Sequence, residues 1–178
     1  TYNIVLCIPW PIKGTGTERT WPNLLTRECG RGQEYEGCGI PPAHVPSLIF
    51  TRMLSGAFDY TPGIFDLANP VKRVTSTLAR QLALYVIIYS PMQMVADRPE
   101  QYKNYMDAFK FIQEVPVDWS ATVPISGAIG DYVIIARRDK NSKDWFIGGV
   151  SGDNERVVEF ELSFLSEARK YNAEIYQD

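Results

Sequence analysis

A chain of 178 residues with 45% hydrophobic and 22% charged residues suits one large or two small packed domains, and it is too apolar to be disordered. The formal net charge of −3 and the lack of basic blocks with interleaved aromatic residues argue against a nucleic-acid-binding protein. The longest apolar run, 83–89, is far shorter than the ~20 residues of a transmembrane helix, so we predict no membrane span.

The first residues have the pattern of an internal strand. Residues 2–8 are apolar and β-prone, and Pro9 and Pro11 end the run, which predicts a buried strand of a parallel sheet. The start has no initiator methionine and no positively charged signal-peptide region. We therefore expect a piece of a longer protein.

Residues 13–44 are rich in Gly, Pro, Thr and Glu and show little periodicity, which predicts a long functional loop. Its cysteines, with Cys7, have no CxxC spacing, and His44 is the only histidine in the chain, so a thiolate zinc site is not expected. A disulfide between Cys29 and Cys38 is one alternative, although the odd number of cysteines favours free thiols.

Helical patterns follow the loop. A short helix is predicted over 45–54, and a turn at Pro62-Gly63. A long helical segment is then expected from Asn69-Pro70 to Pro91, with residues 78–89 buried on almost all sides. A second, amphipathic helix is predicted after Pro99.

The pattern changes to alternation after about Val115. Strands are predicted at 132–136, 145–150 and 156–162, with a closing strand at 173–176. The connectors RDKNSKD and SGDNE are typical of hairpins, so this region is expected to be an antiparallel β-module. Its aromatic residues Trp119, Tyr132 and Trp145 are interpreted as core rather than as a sugar-binding platform.

Three glutamates, Glu28, Glu34 and Glu36, occupy one short segment broken by Gly30 and Gly32. Glycines let a backbone turn sharply, so these carboxylates can converge. Converging carboxylates suit a hard cation such as calcium, or a carboxyl kept protonated as a general acid. A solvated acidic loop is the other interpretation, and spacing alone favours it because the Glu28–Glu34 gap matches no EF-hand pattern.

Four blocks carry a family resemblance: PIKGTGTERTWPNLLTRECGRGQEYE, PPAH, FTRMLSGAFDYTPGIF and STLARQLALYVIIYSPMQMVADRPEQY. Their order and spacing resemble glycoside hydrolase family 97, the bacterial α-glucosidases and α-galactosidases. The segments VPVDW and GDYVIIARRDKNSKDWFIGGV resemble its C-terminal β-sandwich. The resemblance implies an α/β-plus-β fold: the C-terminal remnant of a (β/α)8 barrel over residues 1–113, followed by an antiparallel β-sandwich domain over 114–178.

The same resemblance implies roles for individual residues. Glu34 falls on the family's general acid, and Glu28 and Glu34 fall on ligand positions for Ca²⁺. Inverting members carry a His-Glu pair just before the PIK-like stretch, whose Glu is a base, whereas this chain has Pro9 and Trp10 there. An indole can neither activate water nor bind calcium, so the base position is replaced by Trp10.

The expected function is therefore part of a calcium-dependent α-glycoside hydrolase, most like the inverting α-glucosidases. Its implied substrates are α-glucosides or maltooligosaccharides, and its implied location is periplasmic or extracellular. This piece alone is expected to be inactive, with self-association through exposed barrel surface. The alternatives are a catalytically silent structural or oligomerisation fragment and a carbohydrate-binding fragment.

Overall fold

The computed structural model describes residues 3–9, 14–38, 40–69 and 74–177, without the side chains of 36–38. The strands are Leu6–Ile8 (β1), Leu24–Arg27 (β2), Trp119–Ala128 (β3), Tyr132–Asp139 (β4) and Trp145–Ser151 (β5). The α-helices are Thr17–Thr20 (α1), His44–Phe50 (α2), Leu78–Ile87 (α3), Pro99–Lys103 (α4) and Met106–Glu114 (α5), and 3-10 helices cover Gln33–Cys38 and Arg52–Ser55.

The first part of the chain forms a small parallel sheet. β1 pairs with β2 in parallel, and Phe58 forms a parallel bridge to Arg27 beside β2. The predicted parallel pairing of β1 is confirmed, but its predicted burial is wrong, since Leu6 is 45% exposed and no residue of β1 is fully buried. The reason is that within the described residues β1 has a neighbouring strand on one side only.

β2 lies inside the segment predicted to be a loop, so that prediction is wrong over residues 24–27. Leu24 and Thr26 are buried, whereas Leu25 and Arg27 are half-buried. This alternation marks a strand. It covers only four residues, which is too short for periodicity to reveal.

The buried helix is confirmed. Six of the ten residues of α3 are buried, and the hydroxyl of Thr77 caps it by accepting the N–H of Arg80 at 3.1 Å. The predicted start at Asn69-Pro70 is wrong, because 74–77 are not helical; residues 70–73 lie outside the described part. The predicted second helix is also interrupted, at 104–105 between α4 and α5.

The second part is an antiparallel meander in the order β3-β4-β5, which confirms the strands predicted at 132–136 and 145–150. One face of this sheet packs on α3, where Gly148 of β5 lies against Val86. The two parts share one hydrophobic core, formed by Val45, Leu48, Phe58, Tyr60, Leu84, Ile87, Ile88, Val133, Ile135 and Val150.

The last strand, β5, ends at Ser151, and residues 152–177 form no strand. The strands predicted at 156–162 and 173–176 are therefore wrong. Val157 is 92% exposed and Ile175 is 76% exposed. Alternation alone does not make a strand, since a ladder also needs a neighbour that offers its backbone N–H and C=O groups. The α/β-plus-β class is confirmed; the second sheet of a sandwich stays a prediction.

Across the described ranges, no helix has both the length and the apolar character needed to cross a membrane.

Candidate active site

The structure brings Glu28 and Glu34 together. Glu28 directly follows β2, and Glu34 lies in the 3-10 helix that begins at Gln33. Their side chains are close enough to share a hydrogen bond when one carboxyl group carries a proton. Glu28 is half-buried and Glu34 is exposed, so the pair faces solvent on the side of Glu34.

The electrostatics of this carboxylate pair disfavour a double negative charge. Burial raises the pKa of Glu28 above its ordinary value, and the charges of Glu34 and Asp59 raise it further. A group of this kind gains from a bound proton or a neighbouring cation, because either one offsets the repulsion. The pair is thus suited to proton transfer or to cation binding.

Backbone geometry explains why the two glutamates meet. Cys29 adopts a left-handed conformation with φ 47°, and the chain bends at Gly30, shortly after Glu28. Gly32 lies so close to Tyr60 that a Cβ atom there would be 2.9 Å from the carbonyl oxygen of Tyr60. The next residue, Gln33, donates its N–H to that same carbonyl at 2.8 Å, which fixes the start of the 3-10 helix.

Arg52 holds the backbone of Glu28 from behind. Its Nε donates to the carbonyl of Glu28 at 2.9 Å, and its Nη2 donates to the carbonyl of Arg27 at 2.8 Å. Its guanidinium also lies 4.6 Å from the ring centroid of Phe58. Sequence reasoning did not find this residue, because bonds to backbone carbonyls require no particular residue type at the acceptor and so leave no spacing signal.

Asp59 lies near the pair. Its carboxylate accepts the Cys7 thiol at 2.8 Å and the Thr61 hydroxyl at 3.1 Å, and its charge acts on Glu28. Burial and then this hydrogen bond raise the pKa of Cys7 to about 12. Thr61, which lies two residues after Asp59, has a left-handed backbone with φ 55°.

The remaining predicted site residues fall into two groups. Trp10 and the side chain of Glu36 lie outside the described residues. His44 has a structural contact, since its Nε2–H donates to the carbonyl of Arg31 at 2.9 Å. Arg27, which interleaves the glutamates in sequence, pairs with Glu18 at 3.7 Å.

Among the described residues, no group of three or more His, Cys, Asp or Glu side chains is arranged to hold a metal ion. The pair of Glu28 and Glu34 offers oxygen donors, which is the ligand type that calcium prefers. Calcium takes ~6–8 oxygen ligands. The pair therefore fits calcium in donor chemistry and supplies only part of a coordination shell.

Comparison with known proteins identifies the family. Residues 118–178 match the family model described as glycosyl-hydrolase 97 C-terminal, oligomerisation. A curated relative, the retaining alpha-galactosidase of Bacteroides thetaiotaomicron, is 31% identical over 99% of this chain and 28% of its own length.

Two similar solved structures are glycoside hydrolase family 97 enzymes from Pseudoalteromonas sp. strain K8. The complex with panose has a TM-score of 0.85 and 44% identity, and the complex with acarbose has a TM-score of 0.84 and 46% identity. Each match covers 92% of this chain and 27% of the solved chain. The chain thus spans little more than a quarter of the length of these relatives, and it belongs to glycoside hydrolase family 97, within the C-terminal portion of that family.

Proposed function

We propose that this chain contributes the general acid, Glu34, and two calcium ligands, Glu28 and Glu34, to an α-glycoside hydrolase. The observation that supports this proposal is the closeness of the two carboxyl groups, which raises the pKa of Glu28. A solvated acidic loop would leave these groups apart, because like charges in water separate.

The chemistry assigns different tasks to the two carboxyl groups. Glu34 is exposed and is free to present a proton to the oxygen of the leaving sugar. Glu28 is half-buried, and its backbone is held by Arg52. Burial and the charge of Glu34 raise its pKa, so this carboxyl group gains from a proton or a cation that it shares with Glu34. A calcium ion, when bound to both groups, would stabilise negative charge in the site and hold the carboxylates in place.

The architecture supports a barrel origin for the first part of the chain. β1, β2 and Phe58 follow one another in parallel, with α2 between β2 and Phe58 in sequence. This is the order of neighbouring strands in a (β/α)8 barrel, whose active sites lie after the strand ends, as Glu28 does after β2. The proposed division is barrel over 1–113 and β-sandwich over 114–178. A periplasmic or extracellular location stays a prediction.

For the substrate class, we favour α-glucosides. The solved enzymes in complex with panose and acarbose are 44% and 46% identical to this chain, whereas the retaining alpha-galactosidase is 31% identical. Panose is built from α-linked glucose units. α-Galactosides with a retaining mechanism are the alternative, and Trp10 at the inverting base position is the sequence feature that favours it.

A second candidate is a catalytically silent oligomerisation unit. The described residues contain no complete metal site, and the family model over 118–178 carries the word oligomerisation. The carbohydrate-binding alternative has less support. Trp145 lies against Phe164 at 4.8 Å, and Trp119 lies against Phe146 at 5.7 Å, so both rings have protein neighbours.

A chimeric enzyme tests the proposal. The matching segment of the Pseudoalteromonas enzyme is replaced by this chain, and release of p-nitrophenol from aryl α-glucosides and α-galactosides is measured with calcium and with a chelator. We expect calcium-dependent turnover of the glucoside once Trp10→Glu restores the base, and loss of at least ~100-fold on Glu34→Gln. The isolated chain is expected to show no turnover.

Full activity of the Glu34→Gln chimera would contradict the acid assignment. Glu167→Gln, an exposed residue of the C-terminal coil, is the matched control and should leave turnover unchanged.

A further inference from the structure

A cavity of about 470 Å³ lies between the helical part of the chain and the antiparallel sheet. It shares no lining residue with the carboxylate pair. Its lining consists of Ile49, Met53, Gly56, Ala57, Ile87, Tyr89, Asp118, Trp119, Thr122, Ile135 and Arg137. Asp118 and Gly56 are exposed and Ile87 is buried, so the cavity runs from the surface to the core. Its volume is in the range of small-molecule sites.

Arg137 is the unusual residue of this cavity. It is 6% exposed, and its Nη2 donates to the carbonyl of Ile87 at 3.2 Å. Its Nε is buried and has no hydrogen-bond partner among the described residues, and no described carboxylate forms an ion pair with it. Burying a cation without an ion-pair partner costs free energy, so binding of an anion next to it is favourable.

Two aromatic rings flank the guanidinium. The centroids of Tyr89 and Trp119 lie 5.7 Å and 5.8 Å from its central carbon. Cation–π contacts of this kind stabilise the charge in part, and they keep the flat guanidinium in place. They do not satisfy its N–H donors, which point in the plane of the group.

Asp118, the other charged residue of the lining, does not form an ion pair with Arg137. Asp118 pairs with Lys140 at 2.6 Å, at the exposed end of the cavity. Among the described residues, the positive charge of Arg137 therefore has no ion-pair partner, and the same cavity is lined by the apolar side chains of Ile49, Met53 and Ile87. A doubly charged phosphate would need further donors, whereas a carboxylate matches one planar guanidinium.

We propose that this cavity binds a small organic carboxylate, whose carboxylate group contacts Arg137 and whose apolar skeleton contacts Ile49, Met53 and Ile87. Trp119 lies beside the charged group, so binding alters its fluorescence. The site is independent of glycoside hydrolysis.

Benzoate and its uncharged isostere benzamide are the probes for the test, which uses the whole 178-residue chain. Titration calorimetry and tryptophan fluorescence are expected to show benzoate binding, with benzamide at least about tenfold weaker. Arg137→Met should weaken benzoate binding at least about tenfold. Arg138, the next residue, lies on the opposite face of β4, so Arg138→Met should leave benzoate binding unchanged.

Thermal unfolding gives a second readout. Arg137→Met removes an unpaired buried charge, so its Tm without ligand should equal or exceed that of the wild type. Benzoate should raise the Tm of the wild type and not that of the variant.

Three results would overturn the proposal. The first is no benzoate binding by the wild type up to about 10 mM, where only a very weak site would escape detection. The second is equal affinity for benzamide or for the Arg137→Met variant. The third is a clear drop in the Tm of Arg137→Met, since that would mean that the folded chain already satisfies the guanidinium.

Discussion

At the scale of single residues, the family resemblance predicted the carboxylate pair, whereas spacing alone favoured a solvated acidic loop, and neither predicted the residues that support the pair. Glu28 and Glu34 stand out in sequence because acidic residues flank glycines, and the structure places them together. Asp59 and Arg52 reach the same place from more distant positions, through a thiol, a hydroxyl and backbone carbonyls. Contacts of this kind depend on how the segments pack, which local sequence patterns do not encode.

Arg52→Met should destabilise the chain by about 1–3 kcal/mol, because three part-buried backbone carbonyls and one exposed carbonyl lose a charged donor. The acceptors are the carbonyls of Arg27, Glu28, Gly56 and Ala57. The free energy of unfolding from urea titration measures the effect. Arg19→Met, at an exposed arginine of α1, is the control and should stay within ~0.5 kcal/mol of the wild type. An equally small effect of Arg52→Met would show that the hydrogen bonds from Arg52 to these carbonyls add no stability.

The raised pKa of Glu28 predicts that Glu28→Gln increases the free energy of unfolding, and that this increase depends on pH. The folded chain holds this proton more tightly than the unfolded chain does, so the penalty is absent below the ordinary pKa of 4.5 and grows as the pH rises above it. In calcium-free buffer, the variant should gain a few tenths to ~1 kcal/mol of unfolding free energy at pH 8 and about zero at pH 4. Glu167→Gln should show no such difference between the two pH values. A gain at pH 4 as large as that at pH 8 would rule out the charge origin.

At the scale of elements, the predictions were right where a pattern packs on the shared core and wrong where the element depends on a neighbour that the pattern does not show. α3, β4 and β5 are confirmed because each buries a continuous apolar pattern against the shared core. β2 escaped prediction because its alternation covers four residues. The strands predicted at 156–162 and 173–176 are wrong because a strand also requires a pairing neighbour, which no local pattern reports.

Gly148→Ala should destabilise the contact between β5 and α3 by about 1–3 kcal/mol. A Cβ at this position would lie 2.8 Å from the Cβ of Val86 and 2.9 Å from the carbonyl oxygen of Ala83. The adjacent Gly149 is the matched control, because its Cβ would point to the other face and meet Ile134 at 3.5 Å, an ordinary contact. Thermal unfolding of both variants measures the difference. Equal Tm values would mean that helix and sheet do not pack as closely as described.

At the scale of the whole molecule, two apolar surfaces compete as sites of self-association. One is the open side of β1, where Leu6 is 45% exposed; the other is the C-terminal coil, where Val157 is 92% exposed and Leu162 is 50% exposed. Family resemblance predicted self-association through exposed barrel surface, whereas the oligomerisation family model covers 118–178. Large apolar side chains exposed in this way are candidates for an interface between copies of the chain.

We expect the chain to form dimers or larger species through the C-terminal coil. The double variant Val157→Ser, Leu162→Ser should then weaken association at least about tenfold in sedimentation equilibrium, since two apolar side chains leave the interface. Leu6→Ser should leave association nearly unchanged. The reverse pattern would assign the interface to β1, and a monomer at all concentrations would contradict both surfaces.

The most direct test of the proposed active site is an NMR titration of the Glu28 carboxyl carbon in calcium-free buffer. We predict a pKa above the ordinary value of 4.5 in the wild type. In Glu34→Gln it should fall part of the way back, because burial remains after the neighbouring charge is removed. A Glu28 pKa that is unchanged by Glu34→Gln would show that the two carboxyl groups do not interact, and would contradict a shared acid and cation site.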